Sequence, residues 1–339
     1  MNPTHTRHRN LLRVLTYHRI ADPAQTPLLN PGLVSATPSV FAKQMKYLAD
    51  NYHAVSLNQV IDCLDEGKAL PKRAVLVTFD DGYFDFEEIA WPIVKRHRLP
   101  ATIFVPTGFP DQPDRCFWWD KLYAAFVKTS REDIEIPALG RLPLGDHQQR
   151  RQSLARLQAH VKTLRHYEAL SFVDKVCEKL GNGHLNIPST MNWSQLRRLA
   201  QEGVALAAHT RNHPILTRVP LTEVREEIRG SYEDLRREIG TIIPAFAYPN
   251  GNHNEKIVKI LKEEGFKVAF TGLRGNNDMV STDPLRLCRL NIGKRTGPRI
   301  FRLRLLQWFT YVEKWRHRKK RHVDYFDDNR QRAMTKDTL

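Results

Sequence analysis

The chain has 339 residues, 41% of them hydrophobic, with 53 Lys and Arg against 37 Asp and Glu and a formal net charge of +16. This apolar content supports a real core and excludes a disordered chain, and the length suits one large or two small domains. Four scattered cysteines, Cys63, Cys116, Cys177 and Cys288, form no CxxC pair, which argues against a disulfide framework or a thiolate zinc site and fits reduced thiols in a cytoplasmic protein.

The chain opens polar and basic, and the apolar run Leu11 to Leu15 is too short for the core of a secretory signal. Arg13 to His18 then reads as a first strand, and Pro38-Ser39 opens a helix with Phe41, Met45 and Leu48 on one face. Val75 to Phe79 is a core strand that runs into Asp80-Asp81-Gly82. Phe86 to Arg98 suits a helix broken or bent at Pro92, and Ala101 to Val105 is the next strand.

From 111 to 189 the rhythm changes. This stretch is charged, helical around Leu122 to Phe126 and Leu154 to Val173, and shows no strong strand, so it reads as a helical insertion. The alternation resumes with a helix at Trp193 to Glu202, a strand at Val204 to Ala208, and a long helix from Leu221 to Ile239 closed by Gly240. A short strand at Ala245 to Tyr248, a helix from Asn254 to Glu264 and a strand from Phe266 to Phe270 follow. Strands alternating with helices predict an α/β fold with a mostly parallel sheet.

Beyond Pro298 the character shifts again. Phe301, Leu305, Trp308, Phe309, Val312 and Trp315 fall on one helical face, and Arg318-Lys319-Lys320-Arg321 adds a basic run. Residues 296–339 thus read as a basic amphipathic helix and tail, with 300–321 suited to an anionic membrane surface or, equally, to packing on the preceding domain. No apolar run is long enough to span a membrane, and no nucleic-acid reading module accompanies the positive charge.

Chemistry concentrates where the strands stop. Asp80, Asp81, His209, Asn250 and Gly251 all fall at strand ends, as does His18, and in barrels functional residues gather at the C-terminal rim. Asp80-Asp81-Gly82 alone is as well read as a solvated turn, and His209 with His213 alone as a hydrogen-bonded surface pair. Together they outline a metal site: two histidines and one carboxylate leave coordination positions open on a divalent ion, and adjacent aspartates at a turning strand end can divide the work of ligand and base.

Thr78-Phe79-Asp80-Asp81-Gly82, His209-Thr210-Arg211-Asn212-His213 and Phe246-Ala247-Tyr248-Pro249-Asn250-Gly251, in this order, resemble three motifs of the polysaccharide deacetylase family with the NodB homology domain. The resemblance covers residues 11–295 apart from the insertion, and implies a distorted (β/α) barrel of about seven strands. It implies metal-dependent removal of N-acetyl groups from amino-sugar residues of a glycan, and the positive charge and basic amphipathic tail make a lipid-linked sugar a further expected substrate. Asp80 would be the base that activates metal-bound water, and Asp81, His209 and His213 would hold zinc, with cobalt, nickel or manganese as alternatives. The Asn250 backbone N–H would meet the oxyanion, and Tyr17, Tyr248, Pro249 and Gly251 would border the substrate; separately, the aromatic cluster Phe117-Trp118-Trp119-Asp120 in the insertion suits either a sugar-stacking wall, with Trp119 bordering the substrate, or packing of the insertion's helices on the barrel. Thr210 is placed to orient one of the ligands.

Two departures from the family pattern bear on mechanism. The late stretch Leu287-Cys288-Arg289-Leu290-Asn291 lacks the histidine that many relatives use as general acid, and the Tyr17-His18 pair resembles the subgroup in which an N-terminal histidine takes that role. Ala247 stands where many relatives place an arginine that pairs with the base, which leaves Arg289 as a candidate replacement. An O-acetyl esterase or amidase on the same scaffold, or a glycan-binding relative without activity, are the competing functions. The expected setting is cytoplasmic, at the inner face of the membrane, with no nucleic-acid partner.

Overall fold

The computed structural model describes residues 10–307 except 113, 184, 186 and 188. Seven strands close into a barrel: β1 (Leu11–Tyr17), β2 (Ala74–Asp80), β3 (Thr102–Val105), β4 (Ala205–Ala208), β5 (Ala245–Ala247), β6 (Val268–Arg274) and β7 (Leu287–Asn291). Every neighbouring pair is parallel, and the order round the barrel is the order in sequence, with β1 pairing to both β2 and β7. The expected distorted (β/α) barrel is therefore what forms.

Helices surround the strands: α1 (Pro38–Asn51), α2 (Leu57–Asp65), α3 (Trp91–Arg96), then α4 (Trp118–Lys128), α5 (His147–Val161) and α6 (His166–Lys179) in the insertion, and α7 (Trp193–Gln201), α8 (Leu221–Ile239), α9 (Glu255–Glu263) and α10 (Pro298–Arg304). Local chemistry sets their starts. Thr37 caps α1 ahead of Pro38, and Ser56 with Gln59, and Asn192 with Gln195, form capping boxes on α2 and α7. Pro92 sits in the first turn of α3, after a π-helical turn at Phe86–Ala90, so the expected break there is real.

Side-chain parity divides the strands into two cores. Leu12, Val14, Ala74, Leu76, Phe104, Ala207, Ala245, Ala247, Phe270 and Leu287 fill the barrel and meet α2 through Leu57 and Val60. The alternate residues, among them Leu15, Tyr17, Val75, Val77, Phe79, Ile103, Phe246 and Tyr248, pack outward against the helices.

The insertion holds its own apolar cluster, with Leu122, Phe126, Ile134, Leu142, Leu157, Val173 and Cys177 at its centre. Two expectations are corrected here. The segment carries a β-hairpin, Asp133–Ile136 with Gly140–Pro143, and the helical stretch read from Leu154 to Val173 is two helices separated at residues 162–165. The hairpin's short, charged strands bury only alternate residues, so little strand signal stands out in sequence.

The C-terminal reading is also revised in part. Phe301 and Leu305 are buried in the helix-facing core, whereas Ile300, Leu303 and Leu306 are exposed, so the outward apolar stripe is not the one read from sequence. Trp308, Phe309, Val312, Trp315 and the basic run lie outside the described residues.

Candidate active site

Parity also builds the site. Along β2, Ala74 and Leu76 face the barrel interior, which puts Asp80 inward at the strand's last position, where it is buried. The next residue would point outward, but Asp81 takes φ 74° and Gly82 φ 62°, and the chain swings Asp81 back to the same rim. On β4, Ala207 faces inward, so His209 does too, its N–H extending the ladder to Val105 O at 3.1 Å. Thr210 and His213 also have positive φ, 66° and 54°, and the Thr210 hydroxyl accepts the His213 N–H at 2.9 Å, fixing the turn that returns His213 to His209. Backbone strain thus gathers at the residues the chemistry needs.

Asp81, His209 and His213 offer ligand atoms that all lie within 4.8 Å of one another. Asp81 Oδ1 is buried without a hydrogen-bond partner and lies 3.4 Å from His209 Nε2 and 3.3 Å from His213 Nε2. His209 Nδ1 is 2.7 Å from Ala247 O, an oxygen that only accepts, which makes Nδ1 a protonated nitrogen and turns Nε2 toward the carboxylate oxygen. Two imidazole nitrogens converging on one buried carboxylate oxygen are a donor set of the kind that holds a divalent ion, so the residues present fit such a metal. Burial alone would raise the Asp81 pKa, but the two imidazoles outweigh it and hold the carboxyl well below its usual range.

Asp80 has a different environment. Arg289, inward-facing on β7, places Nη1 2.8 Å from Asp80 Oδ1, while its Nε donates to Thr271 O at 3.0 Å. Burial again works to raise the pKa, yet Arg289, with His209 and His18, keeps Asp80 below the ordinary carboxylate value. The arginine missing at Ala247 is thereby replaced from another strand.

A cavity of about 380 Å³ opens over these groups, lined by Asp80, Asp81, His209, His213, His18, Asn250, Gly251, Trp119 and Arg289. His18 follows β1, its N–H donating to Ser35 Oγ at 2.9 Å. Asn250 takes φ 55°, which Asn tolerates, and Gly251 takes φ 75° where a Cβ would lie 2.3 Å from Gly272 N, so only glycine fits. In this turn the N–H groups of Tyr248, Gly251 and Asn252 donate to Phe270, Tyr248 and Pro249 carbonyls, and Pro249 has none, which leaves that of Asn250 for a ligand.

Three expectations about the cavity wall are corrected. Tyr17 is fully buried on the outward face of β1, stacked on Phe79 and donating to Gln44 Oε1 at 2.9 Å. Tyr248 likewise points outward and donates to Leu285 O at 2.9 Å, and Pro249 is buried beneath the turn. None of the three borders the cavity.

Trp119 does border it, and packs as well: its ring stacks on Phe117, stands edge-on to His213 at 4.9 Å between centroids, and donates from Nε1 to Tyr83 OH at 2.9 Å. Next to it, Asp120 reaches the fully buried Arg19 at 3.2 Å, which also binds Asp85 at 2.9 Å and lies 3.7 Å over the Tyr83 ring. Sequence reasoning missed this latch between insertion and barrel, and missed that Trp118, Lys162, His166 and Arg218 reach the cavity. The Phe117-Trp118-Trp119-Asp120 cluster was its one visible sign.

The family model of polysaccharide deacetylases matches residues 67–269. The chain belongs to the polysaccharide deacetylase family. Among curated relatives, the poly-beta-1,6-N-acetyl-D-glucosamine N-deacetylase of Escherichia coli K12 is 25% identical over 262 residues, 76% of this chain and 33% of that protein. The chain therefore spans about a third of that relative's length. Among solved structures, the Streptococcus pyogenes deacetylase PplD aligns with TM-score 0.59 at 20% identity, covering 87% of this chain and 98% of that one. A de-N-acetylase from Aggregatibacter actinomycetemcomitans aligns with TM-score 0.57 at 19% identity, over 87% of this chain and 100% of the other. At these identities the structures speak to the fold, which is the deacetylase barrel.

Proposed function

We propose that this family member hydrolyses N-acetyl groups on amino-sugar residues of a glycan, using a divalent cation, zinc in the first instance, held by Asp81, His209 and His213. The observation that carries the reading is the pair of unlike aspartates: Asp80 bound to Arg289, and Asp81 aimed without a hydrogen-bond partner between two imidazoles. The likeness to the E. coli poly-beta-1,6-N-acetyl-D-glucosamine N-deacetylase supports the choice of bond.

When bound, such a cation supplies Lewis acidity toward water and the acetamide carbonyl. The chain's own residues do the rest. Asp80, kept ionised by Arg289, takes the proton from the attacking water. The Asn250 N–H donates to the oxygen on which negative charge develops. His18, on the cavity wall, delivers a proton to the departing nitrogen. Trp119 holds one side of the sugar against His213.

The test is acetate release from free, polymeric and lipid-linked N-acetylated sugars, beside an O-acetylated control. Release from the N-acetylated set supports the proposal, and release from the O-acetyl control alone contradicts it.

The proposal extends to an anionic membrane surface. Ile300, Leu303 and Leu306 form an exposed apolar stripe on and just after α10, beside Arg299 and Arg302. Co-sedimentation with vesicles containing anionic lipid, but not with neutral ones, is expected, and no difference between the two would remove this part.

A further inference from the structure

We propose that the mouth of the cavity binds an anionic group, a phosphate or a carboxylate, carried by the N-acetylated sugar. The identity of the sugar rests on the deacetylase reading; the anion does not.

The charges lining the cavity do not balance. Asp80 is matched by Arg289, and Asp81 faces the imidazoles of His209 and His213. Two further cations, Lys162 and Arg218, line the same cavity, and among the described residues no other carboxylate does. Lys162, in the turn between α5 and α6, donates from Nζ to Asn250 Oδ1 at 3.0 Å and has no acidic partner among the described residues. Arg218, at the end of the 3-10 turn Leu216–Arg218 that follows His213, has no side-chain hydrogen bond or ion pair among the described residues. Nearby arginines are served otherwise: Arg211 holds Asp234 through two hydrogen bonds, and Arg225 and Arg229 share Glu264.

The two cations come from different walls. Lys162 belongs to the insertion and Arg218 to the loop after β4, so an anion between them would also join the walls. A guanidinium and an ammonium lining one cavity are donors suited to phosphate or carboxylate oxygens, and neither side chain has a role in moving the protons of the hydrolysis.

The test is calorimetric titration of the full chain with N-acetylglucosamine, its 1-phosphate and its uronic acid, each with and without zinc. At least one anionic sugar should bind about tenfold or more tighter than the neutral one, in both metal states, with the advantage shrinking at high salt. Whichever anionic sugar leads identifies phosphate or carboxylate. Arg218→Ala should remove most of the advantage while leaving neutral-sugar affinity unchanged. Lys162→Gln, which keeps a donor for Asn250 but drops the charge, should reduce it too. Equal affinity for all three sugars, no measurable binding of any, or a preference that survives both substitutions overturns the proposal. Anionic preference without acetate release from any sugar would support the anion site and count against the deacetylase reading.

Discussion

Arg289 Nη1 lies 2.8 Å from Asp80 Oδ1, with the two side chains 5% and 4% exposed, so β7 supplies to β2 the charge partner that β5, with Ala247, does not. The pair is buried and anchored by the Arg289 Nε bond to Thr271 O, which orients the free edge of the carboxylate toward the cavity.

Removing the guanidinium leaves Asp80 buried with burial no longer opposed by its main partner, so its pKa rises. Arg289→Ala is expected to shift the acid limb of the kcat/KM profile to higher pH and to cost about 3–5 kcal/mol of stability. Arg289→Lys should restore part of both. Chemical denaturation and a pH–rate series measure these, and an unmoved acid limb would show that Arg289 does not tune the base.

For the general acid, His18→Ala should lower turnover by roughly 10²–10⁴-fold with metal content intact, because the side chain lines the cavity without belonging to the ligand cluster. Metal analysis beside steady-state rates decides it. An unchanged rate assigns the proton to another group.

Tyr17 should be separable from function altogether. Its hydroxyl serves Gln44 inside the outer core, so Tyr17→Phe is expected to cost about 1–2 kcal/mol and to leave turnover within about twofold. A large loss of rate without loss of stability would return Tyr17 to the site.

The latch between insertion and barrel predicts a pH signature. Burial pushes the Asp120 carboxyl up to about 6 despite Arg19 beside it. Between about pH 4 and 6 the folded state then holds a proton that the unfolded chain has released, so this stabilisation is full at low pH and fades as pH rises through 6. His166, lowered to about 4 chiefly by burial, acts in the opposite sense: its contribution grows as pH rises from 4 to 6.5. The two slopes oppose each other in the wild type. Asp120→Asn removes only the first, so the variant should gain about 1.4 kcal/mol relative to wild type between pH 5 and pH 7.5. Thermal melts across that range read the difference, and parallel curves would contradict it.

Much of the barrel and site was legible because parity and strand ends are written in sequence. The runs ending at Asp80, His209 and Asn250 announced both the strands and their rim, and the β-turn geometry at Asp81 was implied by Gly82. The same parity would have corrected two aromatic assignments: with Leu12 and Val14 facing inward, His18 faces in and Tyr17 out, and with Ala245 and Ala247 inward, Tyr248 faces out. What could not be read was contact across long separations. Nothing local to Arg19 or Asp120 reveals their ion pair, and nothing in residues 158–166 says that they wall a cavity built from strands on either side of them. The insertion hairpin was hidden for a related reason, since its pairing is between short strands with little apolar content.

The central claim is that Asp81 holds the metal and Asp80 uses it, and the most direct measurement is acetate release from N-acetylglucosamine oligomers during zinc titration of metal-stripped protein. The wild type should be silent when stripped and regain turnover at about one zinc per chain. Asp80→Asn should bind that zinc and remain silent, and Asp81→Ala should bind little and stay silent at the same zinc level. Full turnover by the stripped wild type, or by zinc-loaded Asp80→Asn, would contradict the account.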